Sequence, residues 1–329
     1  MGIKLNDLKM LWYKIIFFTV STLILVLMIS VVTIFLVPFK YEDDYIYAFI
    51  DKIKILERIP SPKLIVVGGS DIALGVDCGK IEKILNIPSV NFGLYGGVSI
   101  KFILRFIKPY LKENDIVLIM PAYLTFSDNL YEGEGGLASL LVEIYPQGFK
   151  YLDFRQFVYL LKYFPKVITE KNYFYLKYLI SRLTNQPYGI LEGNFVRSGF
   201  NQNGDFIWHL NRQPKTFTPS KWNTKNTSFE LTDFLNRYAD ELKTKGVKIY
   251  FSFPPVDIED YNLNKGFINL VELNIRKKLN FDILNKPEDT HFDMLEMYDS
   301  PYHLNAKGRE RFAVKIINGL KTYAGDGRR

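Results

Sequence analysis

The longest apolar run in the chain, Ile15 to Phe39, carries no charge over 25 residues. As a helix it is long enough to cross the roughly 30 Å hydrocarbon core of a bilayer. A cleaved signal peptide has a shorter apolar stretch and a small-x-small cleavage site. Here the run ends in Leu36-Val37-Pro38-Phe39 with no such site, so the pattern predicts an uncleaved signal anchor. A wholly buried core helix is the other element such a run can form. Residues 40–60 are more polar and predict a partly helical stalk. Beyond them, short apolar runs alternate with helical stripes. Lys63–Val67, Ser89–Phe92, Asp115–Met120 and Val247–Phe253 predict strands, with a shorter one near 281–285. Between and after them, Ile81/Ile84/Leu85, Ile100/Ile103/Leu104/Ile107, a segment near 262–279 and Phe312/Ala313/Ile316/Ile317/Leu320 predict helices. The alternation lapses over residues 122–245. That stretch holds helical patterns around 152–184 and 226–244, the second with Leu231, Phe234, Leu235, Tyr238 and Leu242 on one face. Phe200 to Asp205 reads as a tight turn, of the kind found at a hairpin tip.

Near-continuous apolar strands alternating with helices predict an α/β fold: a parallel sheet covered on both faces. The expected organisation is a tail (1–14), a transmembrane signal anchor (15–39), a stalk (40–60) and one α/β domain (61–329) with a helical insertion at about 122–245. In open sheets of this kind, sites form beyond the carboxyl ends of the strands. Those ends are Ser70, Gly93, Pro121 and Pro254.

Composition changes this picture little. Of 329 residues, 48% are hydrophobic and 23% charged, the balance of an ordinary globular protein. The net charge of +7 is spread out, with no run of five Lys/Arg, which argues against nucleic acid and leaves an acidic polysaccharide or an anionic lipid surface open. The one cysteine, Cys78, has no partner for an intramolecular disulfide, and no Cys/His cluster has metal-ligand spacing. Charge bears most on orientation. Lys4, Lys9 and Lys14 precede the apolar run against Asp7 alone, whereas Lys40, Glu42, Asp43 and Asp44 follow it. The positive-inside rule then puts the N-terminus in the cytoplasm and the domain outside, although Lys52, Lys54 and Arg58 weigh against it.

Ser70 ends the first strand after Gly68 and Gly69. Two glycines permit a tight strand-to-helix turn that presents a hydroxyl and its own N–H. A serine hydroxyl needs a base to become a nucleophile. The histidines are His209, His291 and His303. His303 lies in Asp299-Ser300-Pro301-Tyr302-His303-Leu304-Asn305, where Asp299, on a proline-containing loop, is placed to orient an imidazole; Asp293 is also near. The Ser70 and Gly93 N–H groups are the candidate donors to an oxyanion. Each of these residues has a plainer role open to it. Ser70 suits a helix cap, as does Asn305 beside a surface His303. His209, next to Trp208, suits packing, His291 a loop, and Gly204-Asp205 a turn. The insertion's aromatics (Tyr151, Phe154, Phe157, Tyr159, Tyr163, Phe164, Tyr173, Phe174 and Tyr175) fit either core positions or a carbohydrate platform.

Gly68-Gly69-Ser70, Asn91-Phe92-Gly93 and Asp299 through Gly308 together resemble, in order, the nucleophile, oxyanion-glycine and Asp/His blocks of the SGNH/GDSL-type hydrolases, in a membrane-anchored bacterial branch. The resemblance runs from about residue 61 to the C-terminus, with the middle poorly matched. It implies a three-layer, flavodoxin-like parallel sheet. It also implies Ser70 as nucleophile, His303 as general base, Asp299 as its orienting group and Gly93 as an oxyanion donor, with no metal or organic cofactor. This chain departs from the family pattern in three ways. It has Gly-Gly-Ser-Asp in place of Gly-Asp-Ser. Its Asp and His are four apart rather than three. After the third strand it has Pro121-Ala122-Tyr123-Leu124-Thr125, with no asparagine for the oxyanion hole. Similar departures occur in branches resembling exopolysaccharide O-acetylation and teichoic-acid alanylation proteins, which work beside a membrane-bound O-acyltransferase. The expected function is therefore acyl transfer or ester hydrolysis on a cell-surface or secreted polysaccharide. Two alternatives stand beside it: an inactive accessory or glycan-binding subunit, and a hydrolase of lipids or peptides at the membrane.

Overall fold

A computed structural model describes residues 5–37, 43–185, 195–224 and 226–326. In chain order the strands are β1 (Leu64–Gly68), β2 (Ser89–Asn91), β3 (Ile116–Met120), β4 (Lys248–Phe251), β5 (Val256–Asp257), β6 (Asp282–Ile283) and β7 (His291–Phe292). The helices are α1 (Leu5–Phe35), α2 (Ala48–Arg58), α3 (Ser70–Gly75), α4 (Cys78–Leu85), α5 (Ile100–Ile107), α6 (Gly135–Ser139), α7 (Phe154–Leu160), α8 (Phe164–Thr184), α9 (Glu230–Lys243), α10 (Ile258–Leu263), α11 (Lys265–Lys278) and α12 (Ala306–Asp326). Five strands form an all-parallel sheet in the order β2-β1-β3-β4-β6, and β5 and β7 pair separately, also in parallel.

Helical crossovers cover both faces of this parallel sheet, and both faces are accordingly apolar. Every residue of β1 is buried. Ile65 and Val67 point to one side with Val117, Ile119 and Phe251, against α2, α5, α9 and α11. Leu64 and Val66 point to the other with Leu118, Met120 and Tyr250, against α4 and α12. Each fully buried Val, Ile or Leu contributes roughly 1.5–3 kcal/mol of transfer free energy, so this double-sided core dominates the stability of the domain. The winding reverses between β1 and β3: the connection from β1 passes over one face and that from β2 over the other. Such a switch opens a crevice beyond the carboxyl ends of those two strands, where the turn after β1 places Ser70.

Three expectations change. Residues 45–58, read as a stalk, belong to the domain: Tyr45, Tyr47, Ala48, Phe49, Ile53 and Leu56 are buried in its core. The insertion ends before α9, because α9 is the crossover helix covering the sheet between β3 and β4. Of the apolar run expected at 15–39, the part up to Phe35 lies in a helix, Leu5–Phe35, that also takes in residues before the run. Lys9 and Lys14 do not interrupt it, since lysine is a good helix former. Its end fits Pro38, which disfavours helical geometry in the residue before it; Pro38 and Phe39 lie outside the described residues. Leu8–Phe35 has a mean hydropathy of 2.8 in its most apolar stretch, none of which is buried. This helix is long and apolar enough to cross a membrane. Among the described residues it touches the domain at its C-terminal end, where Thr33 Oγ1 donates to Asn172 Oδ1 (3.0 Å).

Candidate active site

The turn that carries Ser70 is built by close approach. A β-carbon on Gly68 would lie 2.2 Å from Ile72 Cγ1 and 2.7 Å from the Met120 carbonyl oxygen, so only glycine lets α3 fold back against β1 and β3 here. Gly69 then caps α3 in an extended conformation, and Ser70 opens the helix. Its N–H, in the first turn, has no intrahelical acceptor.

The loop that carries His303 closes on itself. The Tyr298 N–H donates to the His303 carbonyl (2.7 Å), and the Pro301 carbonyl accepts from the Asp257 N–H (2.8 Å). Asn305 caps α12, its Oδ1 accepting from the Lys307 and Gly308 N–H groups at 3.0 and 3.2 Å. Within this closed loop Asp299 Oδ1 reaches His303 Nδ1 at 2.7 Å despite the four-residue spacing. Asp293 is occupied elsewhere, capping the short turn Met294–Glu296.

The two loops meet with Ser70 Oγ 2.9 Å from His303 Nε2. An ionised carboxylate at Nδ1 requires a proton on that nitrogen, which leaves the Nε2 lone pair to accept from the Ser70 hydroxyl. His303 and Asp299 keep only 14% and 13% of their side-chain surface exposed, so the pair is shielded while Nε2 faces the cleft. That cleft, about 490 Å³, is lined by Asp44, Tyr45, Ile46, Tyr95, Gly136, Ser139 and Phe195 around Ser70 and His303. The chain matches no family model and no curated protein.

Gly93 occupies a different role from the expected one. Its N–H donates to Asn91 Oδ1 at 2.9 Å, so it is not free to meet an oxyanion. Glycine is needed there because a β-carbon would lie 2.6 Å from the Ala73 nitrogen and 2.8 Å from the Gly69 carbonyl oxygen. Gly93 thus lets its loop press against the turn that presents Ser70. Gly96 lies on the same side, about where a β-carbon on Gly69 would point (3.4 Å to its Cα), and faces open space itself. Among the described residues its N–H has no hydrogen-bond acceptor. Neither Tyr123 nor Thr125 lines the cleft. Tyr123 is buried, its ring stacked on Trp222 and Phe253 at 6.0 and 6.1 Å.

Sequence reasoning missed the polar cluster beneath this turn. Asn91 Nδ2 donates to the Ile72 carbonyl and to Asp205 Oδ1, both at 2.9 Å. Asp205 is fully buried, accepts from the Cys78 N–H and pairs with Arg309 at 3.1 Å. Burial pushes the Asp205 carboxyl up and the nearby Arg309 opposes this. Lys52, also buried, donates to the carbonyls of Asn91 (2.8 Å) and Gly204. Burial holds its ammonium down to about 7, against the opposing pull of Asp205. These contacts tie β2, α3, α12 and the 200–206 turn into one rigid support. Phe200 and Phe206 pair across that turn, and Gly204 sits at φ +79° at its tip.

The remaining candidates fall outside the cleft. His209 is buried, with Nε2 3.0 Å from the Leu304 carbonyl oxygen and its ring stacked on Phe206; burial lowers it to about 4. His291 is on β7 rather than in a loop. The insertion's aromatics divide between core (Phe164 is 8% exposed) and surface (Phe154 is 82% exposed). The aromatic lining of the cleft comes instead from Tyr45, Tyr95 and Phe195, none singled out in the sequence.

Proposed function

We propose that this chain is a membrane-anchored serine acyltransferase or esterase. Its domain lies outside the cytoplasm and acts on acyl groups, acetyl in the first instance, of a cell-surface or secreted polysaccharide. The observation that carries the reading is the continuous Ser70–His303–Asp299 hydrogen-bond relay opening into a cleft. His303 Nε2 takes the Ser70 proton as Oγ attacks the acyl carbonyl carbon. The new C–O bond puts negative charge on the carbonyl oxygen. On collapse, His303 returns the proton to the departing alkoxide. The acyl-Ser70 ester is then attacked by an acceptor hydroxyl, from glycan or water, whose proton passes to His303 and on to Ser70. Asp299 holds the tautomer and stabilises the imidazolium. We assign the oxyanion to the Ser70 N–H and the Gly96 N–H, since Gly93 is engaged.

Position supports a substrate at the membrane surface. Helix α1 ends at Phe35 and Asp44 lines the cleft nine residues later, a tether of at most roughly 30 Å. A π-helical turn, Leu140–Ile144, continues α6 from the cleft wall to the end of α1, which packs on it. Residues 15–39 would anchor the chain in the bilayer with the lysine-bearing N-terminus inside. A membrane-bound O-acyltransferase, the partner implied by the resemblance, would deliver the acyl group on the outer side.

A second reading, an inactive accessory or glycan-binding subunit, draws on one observation: two of the expected oxyanion donors are diverted, the Gly93 N–H to Asn91 and Tyr123 into the core. Fluorophosphonate labelling of the full chain in detergent separates the two. Labelling of the wild type that is lost in Ser70→Ala and in His303→Ala supports the enzyme. A folded wild type that takes no label supports the accessory subunit.

A further inference from the structure

The two halves of α8 have opposite characters. In the first, Phe164, Val167 and Lys171 are buried against the domain. In the second, Tyr173 (53% exposed), Leu176 (56%), Leu179 (39%), Ile180 (50%) and Leu183 (86%) stand in the open. At 100° per residue these five fall on one stripe, with Lys177 and Arg182 flanking it on either side. A helix of a soluble domain turns such a stripe inward, as α9 does with Leu231, Phe234, Leu235, Tyr238 and Leu242, all buried.

What lies beside this stripe identifies its environment. The buried half of α8 ends where α1 reaches the domain: Asn172 accepts from Thr33, and Lys171 Nζ donates to the Ile34 carbonyl (3.4 Å). The stripe begins at Tyr173, the next residue, and at 1.5 Å per residue it runs about 15 Å to Leu183. Apolar side chains on one face, cations at its borders and a tyrosine among them are the composition of helices that lie in a membrane interface. Lys177 Nζ sits over the Tyr173 ring at 4.5 Å, its stem alongside the stripe.

We propose that the second half of α8 lies in the surface of the bilayer that α1 crosses. Leu176, Leu179, Ile180 and Leu183 enter the boundary between headgroups and acyl chains, and Lys177 and Arg182 reach the lipid phosphates. The inference rests on the reading of α1 as a membrane span. A second attachment removes the freedom of the domain to swing on α1. Because α6, the π-helical turn and α8 form one packed unit with the end of α1, it would also hold the Ser70 cleft at a fixed height above the membrane.

Site-directed spin labels on the full chain in phosphatidylcholine/phosphatidylglycerol vesicles test this. Cys78 is buried, so a cysteine introduced singly by Leu179→Cys, Ile180→Cys, Tyr178→Cys or Leu25→Cys is the one that reacts; all four positions are exposed. The ratio of oxygen to water-soluble nickel-complex accessibility should be severalfold higher at 179 and 180 than at 178, which faces away from the stripe, and comparable in sense to that at 25 in α1. A lipid-like ratio at 25 with a water-like ratio at 179 and 180 overturns the inference and leaves the anchor standing. Labels at 179 and 180 shielded from both reagents mean that protein covers the stripe, which also overturns it. A water-like ratio at 25 overturns the anchor and the inference together.

Discussion

Ser70 Oγ and His303 Nε2 lie 2.9 Å apart although 233 residues separate them. The contact is set by two short, locally rigid devices: a Gly-Gly turn after β1 and a self-closed loop before α12. Two carboxylates, Asp293 and Asp299, lie near His303 in the sequence, and Asp299 is the one hydrogen-bonded to it. Asp299→Asn keeps the shape and an acceptor oxygen but removes the charge and lets an amide N–H donate to Nδ1, which favours the wrong imidazole tautomer, so fluorophosphonate labelling should slow by about 10⁴ while the melting temperature holds. Asp293→Asn replaces one good cap by another and should change neither. Equal loss in both variants would remove Asp299 from its place behind His303.

These two loops were legible because each is written locally. Gly68 and Gly69 follow an apolar run, and Asp299, Pro301 and His303 share five residues. The support beneath them was not, because Asn91 and Asp205 acquire their roles only by meeting each other 114 residues apart. The anchoring of residues 45–58 to the core was obscured by charge. Phe49, Ile53 and Leu56 have helical spacing, but Asp51, Lys52 and Lys54 are interleaved, and Lys52 is itself buried at 1% exposure. A lysine satisfied by two backbone carbonyls and set over the Phe200 ring at 4.5 Å gives no sign of this in the sequence. The cleft walls come from 44–46, 95, 135–139 and 195, segments that no local pattern connects.

Gly93 and Gly96 should respond oppositely to alanine. At Gly93 the new β-carbon meets backbone atoms of Ala73 and Gly69, which cannot yield without moving α3. Gly93→Ala should cost about 1–3 kcal/mol in urea unfolding and displace Ser70, lowering the labelling rate. At Gly96 nothing lies within 4 Å of the added carbon, so Gly96→Ala should leave unfolding free energy within about 0.5 kcal/mol of wild type. A stable, normally labelled Gly93→Ala variant would show that the loop does not press on the serine turn as described.

Asp205 holds together groups that cannot stay buried alone. Arg309 is 4% exposed and Lys52 1%, and Asp205→Ala strips both of their nearest shared counter-charge while leaving the Cys78 N–H and Asn91 Nδ2 short of an acceptor. Breaking a buried pair by removing one partner typically costs about 3–5 kcal/mol, and that loss should appear in urea unfolding. Asp205→Asn keeps an acceptor oxygen and should lose less. If the two variants proved equally mild, the cluster would contribute shape and not charge balance.

Asp71 gives the chain a pH dependence of its own. The residue is 3% exposed with Oδ2 lacking a partner among the described residues. Burial pushes its carboxyl up to about 6, against the opposing effect of His303. A carboxyl with a folded pKa above its unfolded one binds more protons folded than unfolded, so its ionisation penalises the folded state. That penalty is absent below the unfolded value near 3.8, grows as pH rises, and is complete above about 6. Asp71→Asn removes the ionisable group, so the difference in unfolding free energy between variant and wild type isolates this one term from every other titration in the protein. Measured across pH 4 to 7 in urea titrations, the variant should gain about 1–3 kcal/mol of relative stability with rising pH, levelling off above pH 6. A flat difference would mean that the buried carboxylate is satisfied by a donor, and that the Gly-Gly-Ser-Asp order costs the fold nothing at neutral pH.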